Sequence, residues 1–210
     1  MNKLVMVGGG GHSRSVLDSL LATKAYEHIV VVDRQEKVGQ TLLSCPIVGT
    51  DEDLPGLFEQ GYSKAFVALG DHKLRAQISE KLIRMNFQLP NIVDPSAIVS
   101  PYAEVGEGVY IGKRAVVNAN VRIEEGAIIN TSSVLEHDCQ VGAYSHVAPG
   151  TVLCGGVKIG SLSHIGAGSV IREQLEIGDK VMIGMGSVVT TSFPSHSFAY
   201  GHPCKERKKE

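Results

Sequence analysis

Tryptophan is absent from the chain, and aromatic residues are only 5% of its 210 positions, so any core must be filled by small and aliphatic side chains. Neither sign of charge is in excess. Lys and Arg number 20 and Asp and Glu 22, giving a formal charge of -2 and a pI near 6.4. That balance removes the electrostatic case for a nucleic-acid or anionic-membrane partner. No apolar run is long enough to span a bilayer. Met1-Asn2-Lys3 leads directly into a strand-like segment rather than a signal peptide. The four cysteines (Cys45, Cys139, Cys154 and Cys204) contain no CxxC pair and no metal-ligand spacing. They read as free thiols of a reducing compartment, so a cytoplasmic location is expected. Glycine, by contrast, is abundant, with 24 residues. That is the composition of a fold with many tight turns and small, repeated core positions.

The strongest positive signal is a repeat of six. Every sixth residue from Val105 to Val189 is Val, Ile or Leu, fifteen in succession without a register break. Four residues after each, the positions are mostly small or β-branched (Val109, Ala115, Ser133, Cys139, Ser145, Ser163), with larger exceptions at Leu175 and Phe193. The residue directly after the aliphatic is often Gly or Asn, as at Gly142, Gly166 and Asn130, a choice that suits an unusual turn backbone. A strict period of six fits neither a helix at 3.6 nor a strand at two. It is a signature of the parallel β-helix, in which three hexads close one triangular coil. The fifteen hexads predict five coils stacked about 4.8 Å apart, with weaker hexads around Ile92 and Ile98 adding a partial coil.

Residues 1–90 read differently. Strand-like Leu4–Val7 precedes Gly8-Gly9-Gly10-Gly11-His12-Ser13 and a helix bearing Val16, Leu17, Leu20 and Leu21. Further strands are expected at 29–32, ending in Asp33, and at 64–69, ending at Gly70-Asp71. An edge segment is expected near 46–49, with helices at 52–60 and 72–84. This alternation predicts a small Rossmann-like α/β domain with a parallel sheet. A side-chain-free turn between strand and helix brings backbone N–H groups close to a phosphate. Asp33 falls where such domains place a ribose-binding carboxylate. Gly8, Gly10 and Ser13 do not complete the G-x-G-x-x-G pattern, so alone the loop is equally a tight connection.

In the repeat, His137 lies outside the inward column with a carboxylate on each side, Glu136 and Asp138. A carboxylate on one ring nitrogen fixes the tautomer and raises the basicity of the other. That makes His137 the candidate base for taking a proton from an attacking amine or hydroxyl. Gly155, one coil later, stacks on the same edge, where its N–H faces the thioester carbonyl of an acyl donor. Ala167 and Met185, also 18 apart, are candidates for lining a pantetheine path. His146 lies half a coil from His137.

The N-terminal Gly8-Gly9-Gly10-Gly11-His12 combines with Asn130-Thr131, Glu136-His137-Asp138-Cys139, His146-Val147-Ala148-Pro149-Gly150 and Gly201-His202-Pro203. Together they resemble the sugar O-acyltransferase and nucleotide-amino-sugar N-acetyltransferase family, which includes bacillosamine and sialic-acid acetyltransferases. The resemblance covers essentially the whole chain. Cys204 replaces the alanine of the family's Gly-x-Pro-Ala ending. The resemblance implies a nucleotide-sugar-binding domain at 1–90 followed by a left-handed β-helix at 91–210 that binds acetyl-CoA between subunits of a homotrimer. It implies substrate-binding roles for Gly10, Gly11, His12, Asp33, Arg34 and Gly70, a base-orienting role for Asp138 that Glu136 assists, and an acetyl-CoA contact at His146. The activity so implied is N-acetylation of a UDP- or dTDP-linked 4-amino-sugar for surface polysaccharide or glycan precursors. O-acetylation of sialic acid or another free sugar is the alternative.

Two readings from other classes remain. Some left-handed β-helices are trimeric zinc-dependent carbonic anhydrases, and His146 and His164, 18 apart, stack as a possible metal pair. The histidine pair five residues apart that marks that group is missing here, so no metal is expected. The second is a non-catalytic nucleotide-sugar sensor, in which an acid-flanked His137 would have no task.

Overall fold

The computed structural model describes residues 2–207; Met1 and residues 208–210, which the expected domain limits include, lie outside that range. Contacts divide the chain into two compact units, Met1–Pro95 and Ser96–Glu210.

The first unit is a three-layer α/β fold. Its sheet comprises β1 (Lys3–Val7), β2 (His28–Val32), β3 (Thr41–Leu42), β4 (Cys45–Gly49) and β5 (Lys64–Val67), in spatial order β3-β4-β2-β1-β5. β4, β2, β1 and β5 run parallel, and β3 closes the edge as an antiparallel hairpin partner of β4. Buried on both faces, β1 and β2 read as continuous aliphatic runs, as parallel strands do. The helices are α1 (Gly11–Thr23), α2 (Leu54–Glu59) and α3 (His72–Arg84). α1 buries Val16, Leu17 and Leu20. Asp71 caps α3, its carboxylate accepting the Leu74 N–H at 2.8 Å. Ile92–Val93 packs with this unit, where Ser19 Oγ donates to the buried Asp94 carboxylate at 2.6 Å.

The second unit is a left-handed parallel β-helix. A two-residue strand recurs every six residues from Ile98–Val99 to Val188–Val189, and each pairs in parallel with the strand 18 positions away. The aliphatic column from Ile111 to Val189 is buried throughout, with Val99 and Val105 partly covered at the first coil. Each such side chain contributes roughly 1.5–3 kcal/mol by leaving water. The second inward column mixes Val, Ala and Cys with serine and threonine, whose hydroxyls at Ser145, Thr151 and Ser163 bind the neighbouring coil. Ser163 Oγ donates to Gly178 O at 2.8 Å and accepts the Val181 N–H at 3.0 Å, and Ser145 Oγ donates to Gly160 O at 2.6 Å. No buried side-chain polar atom among the described residues lacks a partner.

One expectation needs correction. The glycine directly after each aliphatic does not supply an unusual backbone. The left-handed residue lies two positions further on, at every sixth residue from Gly108 to Gly186 with φ between 55° and 71°, and side chains such as Arg114, Asp138 and Leu162 also occupy it. The glycines after the aliphatics answer instead to stacking: a β-carbon on Gly142 would lie 2.6 Å from Ser161 N of the next coil. The edge that carries His137 has no such glycine; Asn118, Glu136, Cys154 and Arg172 occupy the position there.

Candidate active site

Two sets of candidate side chains emerge, one in each unit. In the first, a cleft of about 520 Å³ opens where β1 and β2 end, lined by the glycine loop, Asp33, Arg34, Lys37, Thr50, Asp51, Glu52, Leu69 and Leu74. Gly8 needs glycine for its backbone (φ +106°), and a β-carbon at Gly9 would lie 2.5 Å from Asp33 Oδ2 and displace that carboxylate. Gly10, Gly11 and Gly70 are under no such constraint, since a β-carbon at any of them meets nothing within 4 Å. Ser13, in place of a third motif glycine, stitches loop to sheet by accepting the Gly10 N–H at 3.1 Å and donating to Ala68 O at 2.9 Å.

Charge in this unit is tightly arranged. Asp33 Oδ2 accepts from Lys37 Nζ at 2.6 Å and Oδ1 from the Arg34 N–H at 2.8 Å. Burial alone would raise the Asp33 pKa, but these bonds and the Lys37 charge outweigh it and hold the carboxyl below its usual value. The Arg34 guanidinium is exposed and sits a loose 3.9 Å from Glu36, a separation of little energetic weight. Buried Arg75 donates to Leu69 O at 2.8 Å and Gly70 O at 3.2 Å, fixing the turn after β5. Burial, reinforced by the Arg75 charge, pushes the His12 imidazole down to about 4, so His12 is neutral at pH 7.

On the β-helix, the His137 Nδ1 and Asp138 Oδ2 atoms are 2.8 Å apart. Along an extended backbone neighbouring side chains point to opposite sides. The left-handed residue at Asp138 (φ 62°) breaks that alternation and lets the pair meet. The Asp138 carboxyl is held below its usual value first by the His137 bond, then by Asn120 Nδ2, which donates to Oδ1 at 3.3 Å. An ionised acceptor there puts the proton on Nδ1 and leaves the Nε2 lone pair available. Glu136 turns away and accepts from Asn118 Nδ2 at 3.1 Å. The His137 ring lies directly over Gly155, where a β-carbon would come within 2.6 Å of Cε1 and Nε2. The Gly155 N–H has no protein partner among the described residues.

His146 is not brought to His137; strand Gln140–Val141 and a further turn separate them along the coil. It stacks edge-on against His164 with ring centroids 4.8 Å apart. Asn130 Oδ1 accepts the Thr131 N–H at 2.8 Å, which turns its amide nitrogen toward His146 Nε2 at 3.0 Å and makes that nitrogen an acceptor. Among the described residues no group of three His, Cys, Asp or Glu is arranged to hold a metal ion. Ala167 and Met185 stack on another edge, both exposed, where Ala167 O accepts the Gly186 N–H at 2.8 Å. Lys37, Arg75, Asn118 and Asn120 were not singled out from sequence as site residues; only for the two asparagines was there a signal, a spacing of eighteen from Glu136 and Asp138.

A hexapeptide β-helix with an acid-paired histidine on one edge, preceded by a Rossmann-like unit, defines the hexapeptide-repeat class of acyltransferases. Residues 3–82 match the PglD N-terminal domain family and residues 92–195 the GMPPB C-terminal domain family. No curated protein matches the chain significantly. Among solved structures, perosamine N-acetyltransferase from Caulobacter crescentus, in complex with CoA and GDP-perosamine, is 37% identical. That match covers 100% of this chain and 98% of the other, with a TM-score of 0.95. Its structures include variants with one histidine changed to asparagine or alanine. The acetyltransferase domain of PglB from Neisseria gonorrhoeae is 33% identical over 99% of this chain and 100% of that one, with a TM-score of 0.94. It has also been solved with acetyl coenzyme A. The chain belongs to this PglD-like family of sugar acetyltransferases, and no helix among the described residues is long and apolar enough to cross a membrane.

Proposed function

We propose that the protein transfers the acetyl group of acetyl-CoA to the amino group of a nucleotide-linked 4-amino-sugar, with His137 as base. The observation that carries this reading is the His137–Asp138 pair with its ring over Gly155, whose N–H has no protein partner among the described residues. The relatives bound to CoA and GDP-perosamine, or to acetyl coenzyme A, supply the ligand classes. The amine nitrogen attacks the thioester carbonyl carbon, Nε2 of His137 accepts the ammonium proton, and the Gly155 N–H stabilises the oxyanion. Collapse breaks the C–S bond, and the thiolate leaves with a proton from His137. Asp138 keeps the ring in the tautomer this needs, and Glu136 acts only through its surroundings.

In this reading residues 1–90 bind the sugar nucleotide, with Gly10, Gly11, His12, Arg34 and Gly70 toward the ligand and Asp33 in the cleft wall. Residues 91–210 bind acetyl-CoA, with His146, Gly155, Ala167 and Met185 along its path. The assembly is a homotrimer. Its support is one sheet of the β-helix whose outward residues, Ile98, Val116, Val134, Val152, Val170 and Val188, are all branched aliphatics in register. The neighbouring sheet presents Glu104, Arg122, Gln140, Lys158 and Glu176 instead. A trimer covers the apolar face and brings His146 of one copy toward His137 of another.

The test is thiol release from acetyl-CoA against UDP-, dTDP- and GDP-linked 4-amino-sugars and free sialic acid. Turnover is expected with a nucleotide-linked amine, UDP- or dTDP-linked first. Release only with sialic acid would replace N- by O-acetylation, and no release with any acceptor would overturn the reading.

A further inference from the structure

Asp33 stands where a dinucleotide-binding domain turns an acid toward ribose, yet the protein already occupies both of its oxygens. Oδ1 takes the Arg34 N–H and Oδ2 takes Lys37 Nζ, while the Gly9 backbone packs so closely that no β-carbon fits between. The side chain is only 12% exposed. An ionised carboxylate has about four acceptor positions, so some remain, but so little exposed surface leaves them poorly placed for a ribose diol.

Lys37 does more than neutralise that acid. Its ammonium also donates to Gly9 O at 3.2 Å, so one side chain fastens the end of β2 to the glycine loop. An ammonium has three donors. Two go to Asp33 and Gly9, and the third has no protein partner among the described residues, on a side chain that is 33% exposed and lines the cleft. Gly10, the residue before α1, lines the same cleft with room for a close approach, and the positive end of that helix favours an anion.

We propose that Lys37 is the positioning residue of the nucleotide cleft. It clamps the glycine loop to Asp33, commits that carboxylate to the protein, and turns its remaining donor to the diphosphate. The acceptor is then held by its phosphates, and the ribose 2′-hydroxyl is not read. This rests on the first unit being the nucleotide site.

Calorimetric titration of the full chain with GDP, UDP, their 2′-deoxy counterparts and dTDP with its ribo form tests it. For whichever base binds, the ribo and deoxy forms should agree within about threefold, whereas a hydroxyl bonded to a carboxylate would separate them by about tenfold or more. Lys37→Met should weaken nucleotide diphosphate binding and raise the acceptor KM by about tenfold or more, as loss of a charged hydrogen bond does. The acetyl-CoA KM and kcat at saturating acceptor should hold, and Lys37→Arg should recover most of the loss. A strong ribo preference that vanishes in Asp33→Asn would overturn the proposal, as would unchanged binding by Lys37→Met. Failure of GDP, UDP and dTDP alike to bind would overturn the nucleotide site itself.

Discussion

At the scale of single residues, the division of labour on the β-helix edge is decided by one backbone angle. Asp138 meets His137 because it is left-handed, and Glu136, in an extended segment, reaches Asn118 instead. His137→Ala should therefore lower kcat by about two to four orders of magnitude with acetyl-CoA affinity nearly intact. Asp138→Asn should lose less, and Glu136→Gln least; steady-state kinetics on the three variants checks the order. His12 gives a pH signature of its own. Its folded-state pKa of about 4 lies below the unfolded 6.5. Between those values the unfolded chain binds a proton that the folded chain does not, so stability is full above 6.5 and falls as pH drops toward 4. The loss at pH 5 is about 2 kcal/mol. Thermal melts of the first unit's transition at pH 7 and 5 should reveal it, and His12→Gln should flatten the difference.

At the scale of elements, glycines that look alike in sequence have different tasks. Gly142→Ala drives a methyl into the backbone of the next coil and should cost about 1–3 kcal/mol, the range for overpacking. Gly11→Ala meets no protein atom and begins a helix, so it should leave the melting temperature unchanged or slightly higher while raising the acceptor KM. Calorimetry alongside kinetics separates the two. These distinctions mark the limit of what was legible. The six-residue period could be read directly because each aliphatic has one possible destination, the interior of the prism. The αβ alternation could be read because β1 and β2 are buried on both faces and keep uninterrupted apolar runs. The reason for the glycines was misassigned, since stacking between residues 18 apart leaves no local trace. The Asp33–Lys37 contact was equally invisible: i,i+4 spacing signals a contact within a helix, and here the chain between them is a single 3-10 turn, Gln35–Lys37.

At the scale of the whole molecule, one apolar and one charged face on adjacent sheets argue for assembly. The valine face gains from contact with another such face, whereas the Arg122–Glu104 and Lys158–Glu176 pairs at 3.2 and 2.8 Å suit water. Light scattering should give three times the 22.4 kDa chain mass, and Val134→Glu with Val152→Glu should yield a smaller species with reduced turnover. A monomer active at full rate would sink the trimer. The same repetition raises a separate matter. A stack of equivalent coils has no natural length, and each end is a bare growth face that accepts a further layer as readily as the last one did. Phe193 and Cys204 fill the prism after Val189, where smaller residues serve elsewhere, and Phe198–Tyr200 is folded over by antiparallel Lys205–Glu206. That reversal of direction works as a stop codon written in hydrogen bonds: the chain itself takes the edge of Phe198–Tyr200 that a further parallel layer would need.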